Sequence, residues 1–405
     1  MWFEWTLATR LLREGRAQSL LIVTGIAVGV AVIVFLTALI GGLQAQIIER
    51  TLGTQSHIRI RAPDEVARPL RAGTGQHLLS RVDQRAQRLR SVDQWQSLVA
   101  ALAGFAEVTA VSPLASGPAL ARRGSASRSV ALMGIEPAQY TRIVPVPRHL
   151  VAGRWQVAGN DIAIGAQLAA ELGAVVGDRI RLDAGTGRAD VFTITGIFEL
   201  GTRELDARFV YLALRPAQAL LDLPGGVSSI DLRVRDYLQA EAVARRIAAR
   251  LGVTAESWMT INRNILDALA AQTLSSNLIR VFVALAAAFG IASVLAVSVV
   301  QRGREIGILR AVGTQRAQVL RIFLLQGAIV GLIGAALGSL IGGALLLGWD
   351  ALGLARSGRG AFELQVTPAL FLAAAALATV VGMLAAVVPA RRAARLDPVE
   401  ALRNV

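Results

Sequence analysis

The sequence predicts an α-helical membrane protein with four transmembrane helices and a mixed α/β extracytoplasmic (periplasmic) domain between helices 1 and 2. Three observations carry this. Of the 405 residues, 54 % are hydrophobic and only 17 % charged, and the mean hydropathy of +0.53 is too high for an ordinary soluble domain. Four runs, at roughly 20–39, 278–300, 322–347 and 369–388, approach or pass the ~20 apolar residues that cross ~30 Å of hydrocarbon. A long polar stretch separates the first run from the second.

The first run follows Arg10, Arg13 and Arg16. It is longer than the ~7–15 residues of a signal-peptide core and no small-residue cleavage site follows, so it is read as a retained span. Arg302, Arg304, Arg310 and Arg316 lie between the second and third runs, and Arg391, Arg392, Arg395 and Arg403 follow the fourth. Four spans put all three clusters on one side, and arginine-rich short flanks stay in the cytoplasm. The expectation is a multi-pass protein of the bacterial inner (plasma) membrane with both termini cytoplasmic. The stretch 44–275 and the loop 348–368, which carries only Arg356 and Arg359, then lie outside. Residues 1–43 form the cytoplasmic N-terminus and first span, 44–276 a stalk and periplasmic core domain, and 277–405 the domain of spans 2–4 and the tail.

The formal charge is +14, and every one of the 42 basic residues is arginine. Their clustering at span ends matches contact with anionic membrane lipids and topology setting rather than a nucleic-acid footprint, so no nucleic-acid partner is expected. No cysteine is present, which excludes disulfides, thiolate metal sites and thiol catalysis.

After the first run the apolar pattern continues through Gln44, Ile47, Ile48 and Leu52, and a matching pattern through Ile261, Ile265, Leu269 and Leu274 leads into the second run. Both read as helical stalks. Between them, β-branched or alternating runs predict strands over 57–61, 161–164, 179–182, 191–197, 208–212 and 230–234. Helical periodicity marks 92–103, 166–172, 215–221 and 237–251. The pairs Asn160-Asp161 and Gly225-Gly226, and the run Gly185-Thr186-Gly187, signal turns. The stretch 61–90, rich in Arg, Gln, Gly and Pro, reads as a solvated insertion, and the proline-flanked run 143–149 as a surface connector. His57, His77 and His149 show no metal-ligand spacing.

The connector 301–316 is a short charged segment between two apolar runs. Ile306, Leu309 and Val312 recur at helical spacing among Arg302, Glu305, Arg310 and Arg316, which describes a small amphipathic helix at a membrane surface. Two readings of it stay open from pattern alone: a docking element for another protein, or a solvated interfacial helix that anchors topology. No nucleophile elbow, zinc-protease motif or phosphate loop is present, and the last requires a lysine that this sequence lacks. No catalytic, cofactor or metal site is therefore expected in this chain.

The connector 304–313, Arg-Glu-Ile-Gly-Ile-Leu-Arg-Ala-Val-Gly, and the tail 389–403, Pro-Ala-Arg-Arg-Ala-Ala-Arg-Leu-Asp-Pro-Val-Glu-Ala-Leu-Arg, resemble those of the FtsX-like permease subunits of MacB-type ABC transporters. Gly153-Arg154-Trp155, the run 172–182 and the run 192–198 are similar to the pattern of the LolC and LolE lipoprotein-release permeases within that family. The resemblance implies a permease that pairs with a second copy or paralogue and receives a separate ABC ATPase, which binds the ATP and Mg. A periplasmic adaptor or chaperone is a further partner. Family members use the resulting motion to extract lipoproteins, drive efflux pumps, or activate cell-wall hydrolases. It also assigns ATPase coupling to Arg304, Glu305, Ile306, Gly307, Ile308, Leu309, Arg310, Ala311 and Gly313, with Ile306 and Leu309 filling a groove of the ATPase.

Two departures limit the likeness. The sequence carries only residues 1–19 ahead of its first run, where MacB carries a fused ATPase, so the ATPase is expected on another chain. The LolC hook, which meets the lipoprotein chaperone, lies between the strands corresponding to 179–182 and 191–197; here only 183–190 joins them, so chaperone delivery in that manner is not expected. In the membrane, Gly327, Gly331, Gly334, Gly338 and Gly342 have small-xxx-small spacing that serves close packing within one subunit or across a dimer. Val34, Phe35, Phe282 and Phe289 are the candidate lining of a cavity for a hydrophobic substrate, with plain exposure to lipid as the alternative.

Overall fold

The computed structural model describes residues 2–14, 16–63, 89–351 and 366–395. The insertion at 64–88 with His77, the loop residues Arg356 and Arg359, and the tail from 396 with Arg403 lie outside the described residues. Along the chain run α1 (Trp2–Glu14), α2 (Arg16–Thr54), β1 (Ile58–Arg61), α3 (Trp95–Ala103), β2 (Val108–Arg123), β3 (Ala126–Ile135), α4 (Pro137–Tyr140), β4 (Leu150–Gly153), β5 (Asp161–Gly165) and α5 (Ala166–Leu172). They continue with β6 (Arg179–Asp183), β7 (Ala189–Phe198), α6 (Arg203–Arg208), β8 (Phe209–Ala213), α7 (Leu214–Leu220), β9 (Ser229–Val234), α8 (Ala240–Leu251), β10 (Thr254–Ser257) and α9 (Trp258–Ile261). Helices α10 (Arg263–Gln301), α11 (Gly303–Ala311), α12 (Arg316–Ala351) and α13 (Pro368–Arg395) complete it.

The chain divides into a helix unit, residues 1–47 with 267–405, and a sheet unit, residues 48–266. Four helices are long and apolar enough to cross a membrane: α2, α10, α12 and α13. Each contains one of the apolar runs and extends beyond it. With 39 residues, α2 and α10 each run about 58 Å at 1.5 Å per residue, nearly twice the ~30 Å of hydrocarbon.

In the sheet unit ten strands form one sheet in the order β10-β1-β9-β2-β3-β8-β5-β7-β4, with β6 bridging β2 and β7. Alternation along the strands separates two cores, as the period of two requires. Leu132, Ile162, Ile164, Val210 and Leu212 point to one face, where α3, α5, α7 and α8 cover them. Met133, Ala163 and Tyr211 point to the other. There Tyr211 is ringed by Tyr140, Trp155, Phe198 and Phe209 at centroid distances of 5.2 to 6.3 Å. The same face carries a buried carboxylate, Asp231, bound by Arg59 across the β1–β9 pair at 2.9 and 3.3 Å. Burial of Asp231 is tolerated because the guanidinium satisfies both oxygens, and the pairing holds the Arg59 guanidinium above its usual value.

The helix unit packs differently. In α12, Gly327 and Gly331 face the backbone of α13 at Gly382 and Ala378, while Gly334, Gly338 and Gly342 face Ile26, Ala27, Val30 and Val34 of α2. A Cβ on Gly338 would stand 2.5 Å from the carbonyl oxygen of Ala27. The glycine spacing thus serves packing within one subunit.

Candidate coupling surface

The connector folds as the nine-residue helix α11. Its end is set by Gly313, whose φ of +111° suits only glycine. There the N–H of Gly313 donates to Arg310 O and that of Thr314 to Leu309 O, at 3.1 Å each, the paired bonds of a Schellman motif. Gly313, expected among the coupling residues, is therefore the helix stop. The chain re-enters a helix at once: Gln315 donates its N–H to Oε1 of Gln318 at 2.9 Å, a one-sided cap at the start of α12.

One side of α11 belongs to the helix unit. Ile306 is buried in the same cluster as Val299, Val319, Phe323 and Ala393, and Gly307 is buried beside it. The expectation that Ile306 fills a groove on another protein is corrected by this packing, since a side chain committed to its own core has no surface to offer. Leu309 and Arg310 are half-buried. The large apolar side chains exposed at α11 and its C-cap are Ile308, 46 % exposed, and Val312, 84 % exposed, four residues apart and so on one face. Arg304, Glu305 and Ala311 are exposed around them. Sequence periodicity missed Ile308 because Ile306, Leu309 and Val312 form an equally good stripe.

The surface is completed by α1. Glu14 pairs with Arg10 at 2.9 Å and with Arg302, at the start of α11, at 3.2 Å; Arg10 first, and Arg302 with it, hold the Glu14 carboxyl below the usual carboxylate range. Gln18 of α2 bonds Gln301 of α10 at 3.0 Å, and Glu4 pairs with Arg321 of α12 at 3.5 Å. The N-terminal arginines and the connector therefore lie at one end of the helix unit. At the other end of the same helices, Gln44 bonds Thr273 Oγ1 at 3.0 Å.

The expected cavity lining does not come together. Val34 is fully buried against Gly342, and Phe35 stacks edge-on with Trp349 at 5.9 Å. Phe282 and Phe289 are 68 % and 75 % exposed on α10, seven residues apart on an outward face. A small cavity among Gly29, Ile33, Val283, Ala287, Ala374 and Val381 holds about 30 Å³, room for about one water.

In the sheet unit the β6–β7 hairpin that stands in the hook position is folded down. Thr186 Oγ1 donates to Leu220 O at 2.8 Å, and Arg188 reaches Asp222 at 3.9 Å, so its tip rests on the end of α7.

These features define a multi-pass membrane protein with an α/β domain inserted after its first span and a short helix between its second and third. Residues 19–250 match the MacB-like periplasmic core domain, and residues 277–398 the FtsX-like permease C-terminal domain. The chain belongs to the FtsX-like permeases of the MacB and LolC type, the permeases of ABC transporters. It is 25 % identical to the lipoprotein-releasing system transmembrane protein LolC of Neisseria meningitidis, over 94 % of this chain and 92 % of that one. It is 40 % identical to the macrolide export ATP-binding/permease protein MacB of Shewanella oneidensis over 35 % of this chain and 21 % of that one. Among solved structures, the periplasmic region of MacB from Actinobacillus actinomycetemcomitans aligns with 54 % of this chain and 95 % of its own at 15 % identity, with a TM-score of 0.35, too loose to add to the fold.

Proposed function

We propose that this permease takes up the ATP-driven motion of a separate ABC ATPase through α11 and uses it to move or extract a hydrophobic or lipidated molecule from the inner membrane. The observation that carries the reading is the exposed pair Ile308 and Val312 beside Glu305, on a helix whose opposite side is locked into the helix unit by Ile306. An apolar pair ringed by charge fits a partner's groove, and a helix anchored on its back transmits the push it receives. The lack of lysine supports an ATPase on another chain, which would hold the ATP and Mg. The arginine clusters support cytoplasmic termini and a cytoplasmic α11. A second permease, a copy or a paralogue, and a periplasmic adaptor or chaperone complete the assembly that the family likeness implies. The folded-down β6–β7 hairpin favours an adaptor over delivery to a chaperone through a hook.

The test is charge reversal at the face. Glu305→Arg and Val312→Asp are expected to insert and unfold as the parent does, while the affinity for the ATPase falls at least tenfold, about 1.4 kcal/mol. Parent-like association and parent-like transport in both variants would leave α11 a topological anchor. Orientation is read separately. In the absence of native cysteine, Ser125→Cys should react with an impermeant thiol reagent once the outer membrane is permeabilised, and Thr314→Cys only once the inner membrane is opened; the reverse pattern rejects the orientation.

A second reading, in which the same motion regulates a periplasmic cell-wall hydrolase and carries nothing, is favoured by the burial of Val34 and the outward position of Phe282 and Phe289, which do not line one substrate cavity. Reconstitution with the ATPase separates the two: ATP-dependent release of a lipidated cargo supports transport, and activation of a hydrolase without release supports the alternative.

A further inference from the structure

The two long helices connect to the sheet unit at neighbouring points. Three residues separate the end of α2 at Thr54 from β1 at Ile58, and β10 ends at Ser257 where α9 begins. Strands β1 and β10 are paired antiparallel with Ile58 opposite Ser257, so the incoming and outgoing chains meet on adjacent strands. Both crossings pass through one knot inside the sheet unit. His57 donates its N–H to Leu232 O and accepts the Trp258 N–H on its own carbonyl, both at 2.9 Å. The buried Trp258 indole donates to Tyr237 O at 2.8 Å, and the Tyr237 ring lies edge-on to both His57, at 6.4 Å, and Trp258, at 6.2 Å.

Past the knot the chain is differently built. Ser257 caps α9 and, with Thr260, binds the Glu241 carboxylate of α8. Asn262 then breaks the helix, with φ −105° and ψ 29° between α9 and α10. Its N–H and side-chain amide both bond Trp258 O, at 2.9 and 2.8 Å, while Leu266 bonds back to Asn262 O at 3.1 Å. A rigid packed cluster on one side of a single non-helical residue is the arrangement of an anchor and a hinge.

We infer that Trp258, clamped between His57 and Tyr237, is the positioning residue that passes movement of α10 into the β10–β1–β9 edge of the sheet, with Asn262 as the hinge. This rests on the coupling reading above. A force on either long helix reaches paired strands within a few residues. Loss of the indole N–H or of the Tyr237 ring leaves the helix free to turn about Asn262 without moving the sheet. Tyr237 is 38 % exposed, so its replacement disturbs the sheet unit little.

The experiment is hydrogen–deuterium exchange on the full permease–ATPase complex with and without ATP, read at residues 263–275 and at residues 57–61 with 229–257. The parent should respond to ATP in both segments. Trp258→Phe and Tyr237→Leu should keep the response at 263–275 and the ATP hydrolysis rate within about twofold, lose at least threefold of the response in the strands, and melt as the parent does. Tyr237→Phe, which keeps the ring and the backbone acceptor, should behave as the parent. A parent that responds at 263–275 but not in the strands, or variants whose strands respond in full, overturns the inference and leaves the coupling reading standing. A parent with no response to ATP at 263–275 overturns the coupling reading and the inference with it. If Trp258→Phe melts early, Tyr237→Leu decides.

Discussion

The sheet unit and the helix unit are both built from apolar residues, yet they are held together by opposite means. The sheet unit buries large side chains, Leu132, Phe192, Ile194 and Leu232 among them, on both faces of one sheet. The helix unit also buries Ile26, Val30, Val34 and Phe323, but the seams of α12 with α13 and α2 are closed by residues that have almost no side chain, Gly327, Gly331, Gly338 and Gly382, and α13 adds a run of buried alanines at 385, 386, 390, 393 and 394. The difference follows from the solvent. In water, burying apolar area stabilises in proportion to the area removed. In lipid the tails are as apolar as leucine, so helices gain only by approaching closely enough for backbones to touch.

The comparison predicts that adding atoms should damage one unit and removing them the other. The largest effect is expected from Gly338→Leu, because a Cβ there meets the Ala27 carbonyl and Val30 on α2. Overpacking alone costs about 1–3 kcal/mol, and a leucine at a backbone contact should separate α12 from α2 altogether. The folded protein should be lost from detergent size-exclusion chromatography. Gly343→Leu, five residues on, adds a Cβ that meets nothing within 4 Å and should elute and melt as the parent does. Equal behaviour of the two variants would show that close approach is not what holds the helices.

Removal of atoms is the matching test in the sheet unit. Leu232 on β9 is fully buried, and Leu232→Ala should cost about 2–5 kcal/mol through lost transfer energy and a residual cavity. Denaturant unfolding followed by limited proteolysis should show that loss in residues 48–266. If the helix unit unfolds in parallel at the same denaturant concentration, the two units are one cooperative structure and the contrast drawn between them fails.

What could be read in advance divides along the same line. Apolar length alone located all four long helices, because nothing but length and composition decides what crosses a bilayer. In the sheet unit β5, β6, β7, β8 and β9 lie within two residues of the expected runs. The long hairpin β2–β3 was invisible: β2 contains Pro113, Gly117 and Pro118 among alanines and serines, and it is a strand only because β9, β3 and β6 pair with it. At the candidate coupling surface the helix was legible, whereas its stop at Gly313, expected only as a coupling residue, and its orientation were not. Periodicity says that a face is apolar, and only the packing of Ile306 into the helix unit shows which apolar residues remain for a partner. The proposed cavity failed for the same reason: Val34 and Phe282 are equally apolar in sequence, and glycine contact buries one while leaving the other outward.

The smallest predicted effect concerns the titration of a buried group of the sheet unit, His57. His57 is buried, with Nδ1 facing the Val234 carbonyl and N–H at 3.1 and 3.3 Å. Burial, with the nearby Arg233 charge, lowers its pKa below the ordinary value of 6.5. A base whose folded pKa is depressed takes up a proton more readily when unfolded, so the unfolded state binds more protons below the ordinary pKa. Stability should therefore be intact above pH 7 and fall as pH drops below about 6.5, levelling once the folded pKa is also passed. His57→Asn presents a neutral amide to Val234 and cannot titrate in this range. Its unfolding midpoint should change less than the parent's between pH 7 and pH 5, with the two differing little at pH 7. Parallel pH profiles for parent and variant would assign the acid sensitivity to the carboxylates, whose protonation would act on both proteins alike.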